Sequence, residues 1–302
     1  MNAINDIQQS LQANSEPLVT IGLPTYNRPS GLKKCLETIV NQSYTNLEII
    51  ISDNCSTDDN VQKVILEFAA KDSRIKHFRQ SVNIGLEDNF NFVYAKATAG
   101  YFTWMSDDDY FDANYVAQCV LFLENNPDHI LCSGIAKYYS GNNFLFDEKM
   151  FKVDQSSSSH RIFTFFDKAG KNGNFYGVFR NHKLKAKPIG EHAGCDWSFM
   201  AKMAILGKLS YVSTTAYHRS ADGNSGTRKK MVIKFRVNKF KALFFETYTA
   251  FEIATHIFDD AAVKVKFNLI HRKCIIGVVF LQINYKLFMN FIRKRLGKNS
   301  FE

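Results

Sequence analysis

The chain has 302 residues, 45% hydrophobic and 22% charged, enough for one large domain with an appendage or for two domains, and too apolar for wholesale disorder. Its net charge of +9 is unevenly placed: from Arg228 onward 16 Lys and Arg face 5 Asp and Glu, whereas residues 1–227 hold 22 against 24. Six cysteines, at 35, 55, 119, 132, 195 and 274, form no C-x-x-C pair and no zinc-spaced Cys/His cluster, which predicts buried thiols in a reducing compartment. No signal-peptide pattern opens the chain, and no uncharged apolar run approaches the ~18 residues that span a bilayer. The expected localisation is therefore cytoplasmic.

Residues 1–16 read as a loose polar arm. The run 17–24 predicts a buried parallel strand ended by Pro24. Ser30 is expected to cap a helix in which Leu32, Cys35, Leu36, Ile39 and Val40 share one face. Residues 47–53 predict a second strand, and Asp58 a cap for a helix with Val61, Val64, Ile65, Phe68 and Ala69 on its inner face. A third strand over 75–79, a helix over 87–99 and a fourth strand over 101–106 follow. Four strand–helix alternations predict a doubly wound, mostly parallel α/β sheet, whose ligands sit at the carboxyl ends of its strands.

The most informative loop there is Asp107, Asp108 and Asp109 in YFTWMSDDDYF, with Tyr110 to Asp112 read as the turn into a helix. Adjacent carboxylates at the end of a buried strand repel one another and resist desolvation. A hard divalent cation that prefers oxygen ligands compensates them most simply. Beyond them, helices are expected after Asn114 and over 195–206, and strands over 130–139, 174–180 and 209–212. Residues 140–160 read as polar, with Ser156 to Ser159 as a loop.

VTIGLPTYNRP, EIIISDNCSTDD, NIGLEDNFNFVYAKATAGYF and WMSDDD, in that order, resemble the nucleotide-binding half of the family 2 glycosyltransferases. The resemblance covers roughly residues 17–220. It departs from the commonest family pattern at Cys55, where Gly is usual, and at Ser106, where many members have a first Asp. It implies a GT-A-like doubly wound mixed, mostly parallel sheet flanked by helices, with a C-terminal helical extension. The implied domains are an arm (1–16), a GT-A domain (17–227; nucleotide half 17–112, acceptor half 113–227) and a basic amphipathic extension (228–302).

The implied activity is metal-dependent inverting transfer from a nucleotide-diphosphate sugar, a UDP-sugar, to a hydroxyl of a glycan or lipid-linked glycan in surface polysaccharide synthesis. The expected cofactor is Mn²⁺ or Mg²⁺, held by Asp108 and Asp107 and supplemented by His218. Nucleotide contacts are expected at Pro24, Thr25, Tyr26, Asn27, Asp53, Asn83, Gly85 and Asp107. Asp196 matches the family's acidic residue before the acceptor-facing helix and is the expected general base, with Glu191 in reserve. Asp109, Trp197 and Arg219 are expected donor or acceptor contacts, beside a Gly-rich loop at 220–226.

The tail RKKMVIKFRVNKFKALFF interleaves cations with apolar residues, which suits either packing on the domain or an anionic membrane surface on the inner membrane's cytoplasmic face. No nucleic-acid partner is expected. The alternatives are a non-catalytic nucleotide-sugar or glycan binding protein, which would not need Asp196, and a sugar-phosphate nucleotidyltransferase, whose Gly-rich phosphate loop GLPTYNRP lacks.

Overall fold

A computed structural model describes residues 16–181, 184, 187–221, 232–235, 237, 238, 241 and 244–295. The N-terminal arm up to residue 15, the Gly-rich stretch 222–226 and the basic run 228–231 lie outside the described residues. Strands β1 (Val19–Thr25), β2 (Leu47–Asp53), β3 (Ile75–Arg79) and β4 (Tyr101–Trp104) alternate with helices α1 (Pro29–Val40), α2 (Asp59–Ala69) and α3 (Leu86–Ala95). Next come β5 (Tyr110–Phe111), α4 (Tyr115–Asn125), β6 (His129–Ser140), β7 (Asn143–Asp147) and α5 (Ser158–Lys168). A 3₁₀ turn over Gly173–Tyr176 leads to β8 (Val178–Arg180), α6 (Cys195–Leu206) and β9 (Lys208–Ser220). Helices α7 (Phe245–His256), α8 (Ala261–Lys264) and α9 (Leu269–Arg295) form the extension.

The strands form one sheet in the order β3-β2-β1-β4-β8-β6-β9-β5, with β7 on β6. The first four pair in parallel, β8 is antiparallel to β4 and β6, and β9 returns parallel to β6. This is the expected mixed, mostly parallel sheet. β1 and β2 are buried at every position, which is why they are near-continuous apolar runs. The chain passes from β1 outward to β2 and β3, then crosses back to β4 on the other side of β1, so a crevice opens between the carboxyl ends of β1 and β4.

Four local expectations are corrected. Helix α1 starts at Pro29, whose missing N–H costs nothing at a first helical position, and Ser30 is not its cap. Tyr110 and Phe111 form a strand opposite His218 and Tyr217 rather than a turn into a helix. The serine run ends inside α5, whose Arg161, Ile162, Phe165 and Phe166 are buried. β9 continues to Ser220 past two exposed residues at 213 and 214, where its register with β6 shifts. Asp58 caps α2 as expected, accepting from Asn60 N at 2.9 Å.

An aromatic core sets the height of the acidic loop. Trp104, fully buried, stacks on Phe175 at 5.2 Å and meets Phe102, Phe179 and Phe199 edge-on or tilted. Its indole N–H donates to the Phe90 carbonyl at 3.1 Å. Cys35, Cys119 and Cys132 are buried as expected, whereas Cys55 and Cys195 are half-buried and Cys274 is exposed.

The extension packs on the domain rather than standing off it. Ala250, Ile253 and Ala254 of α7, and Ile275, Val279 and Ile283 of α9, are buried in the common core. Lys286 donates to the carbonyls of Phe166, Asp167 and Ala169, neutralising the carbonyl end of α5. Arg161 does the same for α6 through Ala204 O and Ile205 O, at 2.6 and 2.9 Å. The other end of α6 starts at Gly194, φ +77°, where a Cβ would lie 2.5 Å from the Ile253 side chain. Trp197 faces Phe165 and Phe166 of α5 and so belongs to this packing.

Two predictions follow from these elements. Cys55 adopts φ +61°, a left-handed conformation in which its Cβ crowds the backbone. Cys55→Gly is expected to raise the urea midpoint, stabilising by about 0.5–1 kcal/mol; an unchanged or lowered midpoint overturns this. His192, buried, bonds Ser198 Oγ at 2.8 Å and stacks on His256 at 3.9 Å. Burial, then His256 and Lys202, push its pKa down to about 3. The folded imidazole stays neutral while the unfolded one, near ~6.5, takes up a proton. The stability from this group is present above ~6.5 and is lost as pH falls toward the folded value, at roughly 1 kcal/mol per pH unit. His192→Gln is expected to flatten that slope in denaturant titrations between pH 7 and 4; an equal slope in the variant refutes it.

Candidate functional site

The loops after β1, β2 and β4 meet at the crevice and are tied to each other by side chains. Asn27, at φ +53°, turns its Oδ1 back to accept from Thr57 N at 2.8 Å and Asp58 N at 3.1 Å, while its own N–H donates to Ser56 Oγ at 2.9 Å. Asn54 clasps the 83–85 turn, accepting from Ile84 N and donating to Gly85 O, both at 2.9 Å. Asn83 Oδ1 accepts from Gly85 N at 3.0 Å, and Gly85 takes a positive φ, +89°. Asp53 is fully buried: Oδ1 accepts from Ser56 N at 2.9 Å and Oδ2 from Gln62 at 2.6 Å, with Arg79 3.6 Å away. Its carboxylate braces the loop. Pro24 is buried at the end of β1, and Tyr26 is exposed at the lip.

The three aspartates point in three directions. Asp107 Oδ2 accepts from Thr25 Oγ1 at 2.8 Å and Tyr26 N at 3.2 Å, fastening β4 to the β1 loop. Asp107 Oδ1 and Asp108 Oδ2 share one guanidinium nitrogen of Arg28, at 3.2 and 2.5 Å. Asp108 Oδ1 accepts from Ser106 Oγ at 2.5 Å, so the residue that replaces the usual first aspartate braces the second. Asp109 is buried and turned away: Tyr217 donates its hydroxyl to Oδ2, and Ser220 N donates to Oδ1 at 2.7 Å. Burial and the charge of Asp108 push the Asp109 carboxyl up to about 7, against Arg219, Tyr217 and Ser220. Asp107 is also raised, first by burial, although Thr25 and Arg28 oppose the shift.

An open cleft of about 450 Å³ lies over this pair, lined by Asn27 to Gly31 and Asp108. Gly31 fixes its floor: a Cβ there would sit 2.5 Å from the Asp107 carbonyl oxygen, so only glycine lets the first turn of α1 approach the acidic loop.

Asp196 lies in the first turn of α6 and accepts from Asn172 Nδ2 at 3.0 Å. Burial raises its carboxyl above the ordinary range, opposed by Asn172 and by the charge of Arg219. Arg219 lies against Tyr138 and Tyr176, 5.2 and 5.0 Å from their ring centres, bonds the Tyr138 hydroxyl at 2.8 Å and stands 4.0 Å from Asp109. Its charge opposes the upward shift of both Asp109 and Asp196.

His218 is not drawn to the acidic pair. Its Nε2 pairs with Asp112 at 2.8 Å, its Nδ1 with the Tyr139 hydroxyl at 3.2 Å, and its ring stacks on Tyr110 at 4.3 Å. Among the described residues no three His, Cys, Asp or Glu side chains gather around one metal position. Glu191 is exposed in the loop before α6. Sequence reasoning missed Arg28 and Asn172. A cation three residues past a strand end, facing an acidic loop, signals the first. The Asn172-Gly173 pair, a turn signal, marks the second, whose φ is +60°.

A chondroitin synthase from Escherichia coli is 31% identical over 247 residues, 75% of this chain and 32% of that protein. A GalNAc(5)-diNAcBac-PP-undecaprenol beta-1,3-glucosyltransferase from Campylobacter jejuni is 27% identical over 183 residues, 58% of this chain and 55% of that protein. The matched stretch thus spans about half the length of that relative. Among solved structures, Staphylococcus aureus TarS residues 1–349 in complex with UDP-GlcNAc superposes with a TM-score of 0.62 at 17% identity, covering 88% of this chain and 72% of that one, and shares the GT-A fold. The model of the glycosyl transferase family 2 domain matches residues 20–195, more than half of the chain, and the protein therefore belongs to glycosyl transferase family 2.

Proposed function

We propose that the protein transfers a sugar, with inversion, from a nucleoside diphosphate donor to a hydroxyl of a growing or lipid-linked glycan on the cytoplasmic side of the inner membrane. The observation that carries the reading is the Asp107–Asp108 pair at the β1/β4 crevice, compensated by Arg28, with Asp108 lining an open cleft. The relatives whose names concern polysaccharides or an undecaprenol-linked glycan favour a glycan acceptor, and the UDP-GlcNAc held by TarS favours a uridine donor.

In this reading the base and ribose lie among the loops 24–27, 53–56 and 83–85, with the diphosphate over Arg28. Asp108 and Asp107 suit Mg²⁺ or Mn²⁺: both are hard oxygen donors, and such ions take one or two carboxylates together with substrate phosphates. The ion supplies charge compensation for the departing diphosphate. Arg28 occupies the cation position when no donor is bound and partners a phosphate when one arrives. Asp196, oriented by Asn172 and made more basic by burial, accepts the acceptor hydroxyl's proton as that oxygen attacks the anomeric carbon opposite the diphosphate.

The test is a nucleotide-sugar panel with Mn²⁺ or Mg²⁺, read as released nucleoside diphosphate. Asp108→Ala is expected to lower release by about 10²–10³-fold. Asp196→Asn is expected to keep donor binding and lose about 10²–10⁴-fold in kcat; full turnover in that variant removes Asp196 from the role, and donor binding without turnover in the wild type favours the binding-protein alternative. Neither release nor nucleotide binding with any donor defeats the reading. Arg28→Gln is expected to tighten Mn²⁺ binding to the nucleotide-free protein by calorimetry while weakening UDP binding; unchanged affinities show that Arg28 guards neither.

A further inference from the structure

Helix α9 is apolar on two sides. Ile275, Val279 and Ile283 are buried against the domain. Ile270, Cys274, Val278, Leu281 and Tyr285, spaced i, i+4, i+8, i+11 and i+15, share the opposite face and are exposed. Ile270 is 73% exposed, Leu281 66% and Tyr285 67%. At 1.5 Å per residue the stripe is about 22 Å long. Scattered exposed apolar residues need no explanation, but a continuous stripe on one helix face marks a contact surface.

The charges decide which contact. From Ala261 to Arg295 the chain has 8 Lys and Arg and no Asp or Glu. Lys264, Lys266 and Lys273, all exposed, lie at the start of the stripe. A second copy pressed stripe to stripe would offer these lysines no carboxylate, since the stretch has none. An anionic lipid surface complements the lysines and takes up the apolar stripe beside them. No helix among the described residues is long and apolar enough to cross a membrane, so the contact is one of lying on the surface.

We infer that the solvent face of α9 docks the protein flat onto an anionic lipid bilayer through Ile270, Val278, Leu281 and Tyr285, flanked by Lys264, Lys266 and Lys273. The inference concerns binding and does not depend on the transfer reaction. The test is cosedimentation of the full chain with phosphatidylglycerol-containing vesicles and with pure phosphatidylcholine vesicles, beside chain mass in solution. Wild type is expected to sediment with the anionic vesicles only, less so at high salt. Ile270→Glu with Leu281→Glu is expected to weaken partitioning by ~100-fold, while Leu66→Glu with Leu121→Glu, the same charge change on other exposed leucines, retains most of it. Retained nucleotide binding shows that the variants fold. Wild type failing to bind anionic vesicles, both pairs losing binding equally, or a dimer dissolved by the α9 pair would each overturn the inference.

Discussion

Three consecutive carboxylates at the end of a buried strand repel one another, and the geometry of this protein follows from how that repulsion is relieved. Asp107 is spent on the β1 loop, Asp109 on the end of β9, and only Asp108 faces the cleft, where Arg28 and Ser106 hold it. Each partner comes from a different part of the sheet, so satisfying the charges fixes β1, β4, β9 and the start of α1 relative to one another. The aromatic packing under Trp104 provides the rigid base, and Gly31 provides the clearance. The same property that makes the triplet expensive to bury suits it to receive a cation and a diphosphate.

The first four strands were legible because their signals are local. Buried parallel strands are uninterrupted apolar runs, and their helices repeat at 3.6, so β2 was read from sequence with the bounds it has. What escaped depends on distant partners. α5 was hidden because its first turn is serine-rich and only its later residues turn inward. β9 was read short because exposed residues interrupt its middle. Asp53 and Asn27 carried family roles as nucleotide contacts, yet their side chains chiefly knit one loop to the next. His218 resembled a metal ligand in sequence, but the pairing of β5 with β9 stacks it on Tyr110 and hands it to Asp112. Strand register, not motif, decides where that imidazole points.

The extension illustrates how charge composition misleads about boundaries. Its surplus of cations suggested an appendage. Yet Lys286 is spent on the carbonyl end of α5, and Lys234 pairs with Glu87 of α3 at 2.5 Å. A basic residue near a helix end is often part of the architecture rather than part of a surface.

Helix α6 is held at its carbonyl end by Arg161 and at its amino end by the fit of Gly194 against Ile253, 59 residues further along the chain. The position of Asp196 therefore depends in part on the extension. The border near residue 228, visible in composition, does not divide the core. The extension and the sheet share one core, and shortening the chain there would remove the contact of Ile253 with Gly194 beside the carboxylate.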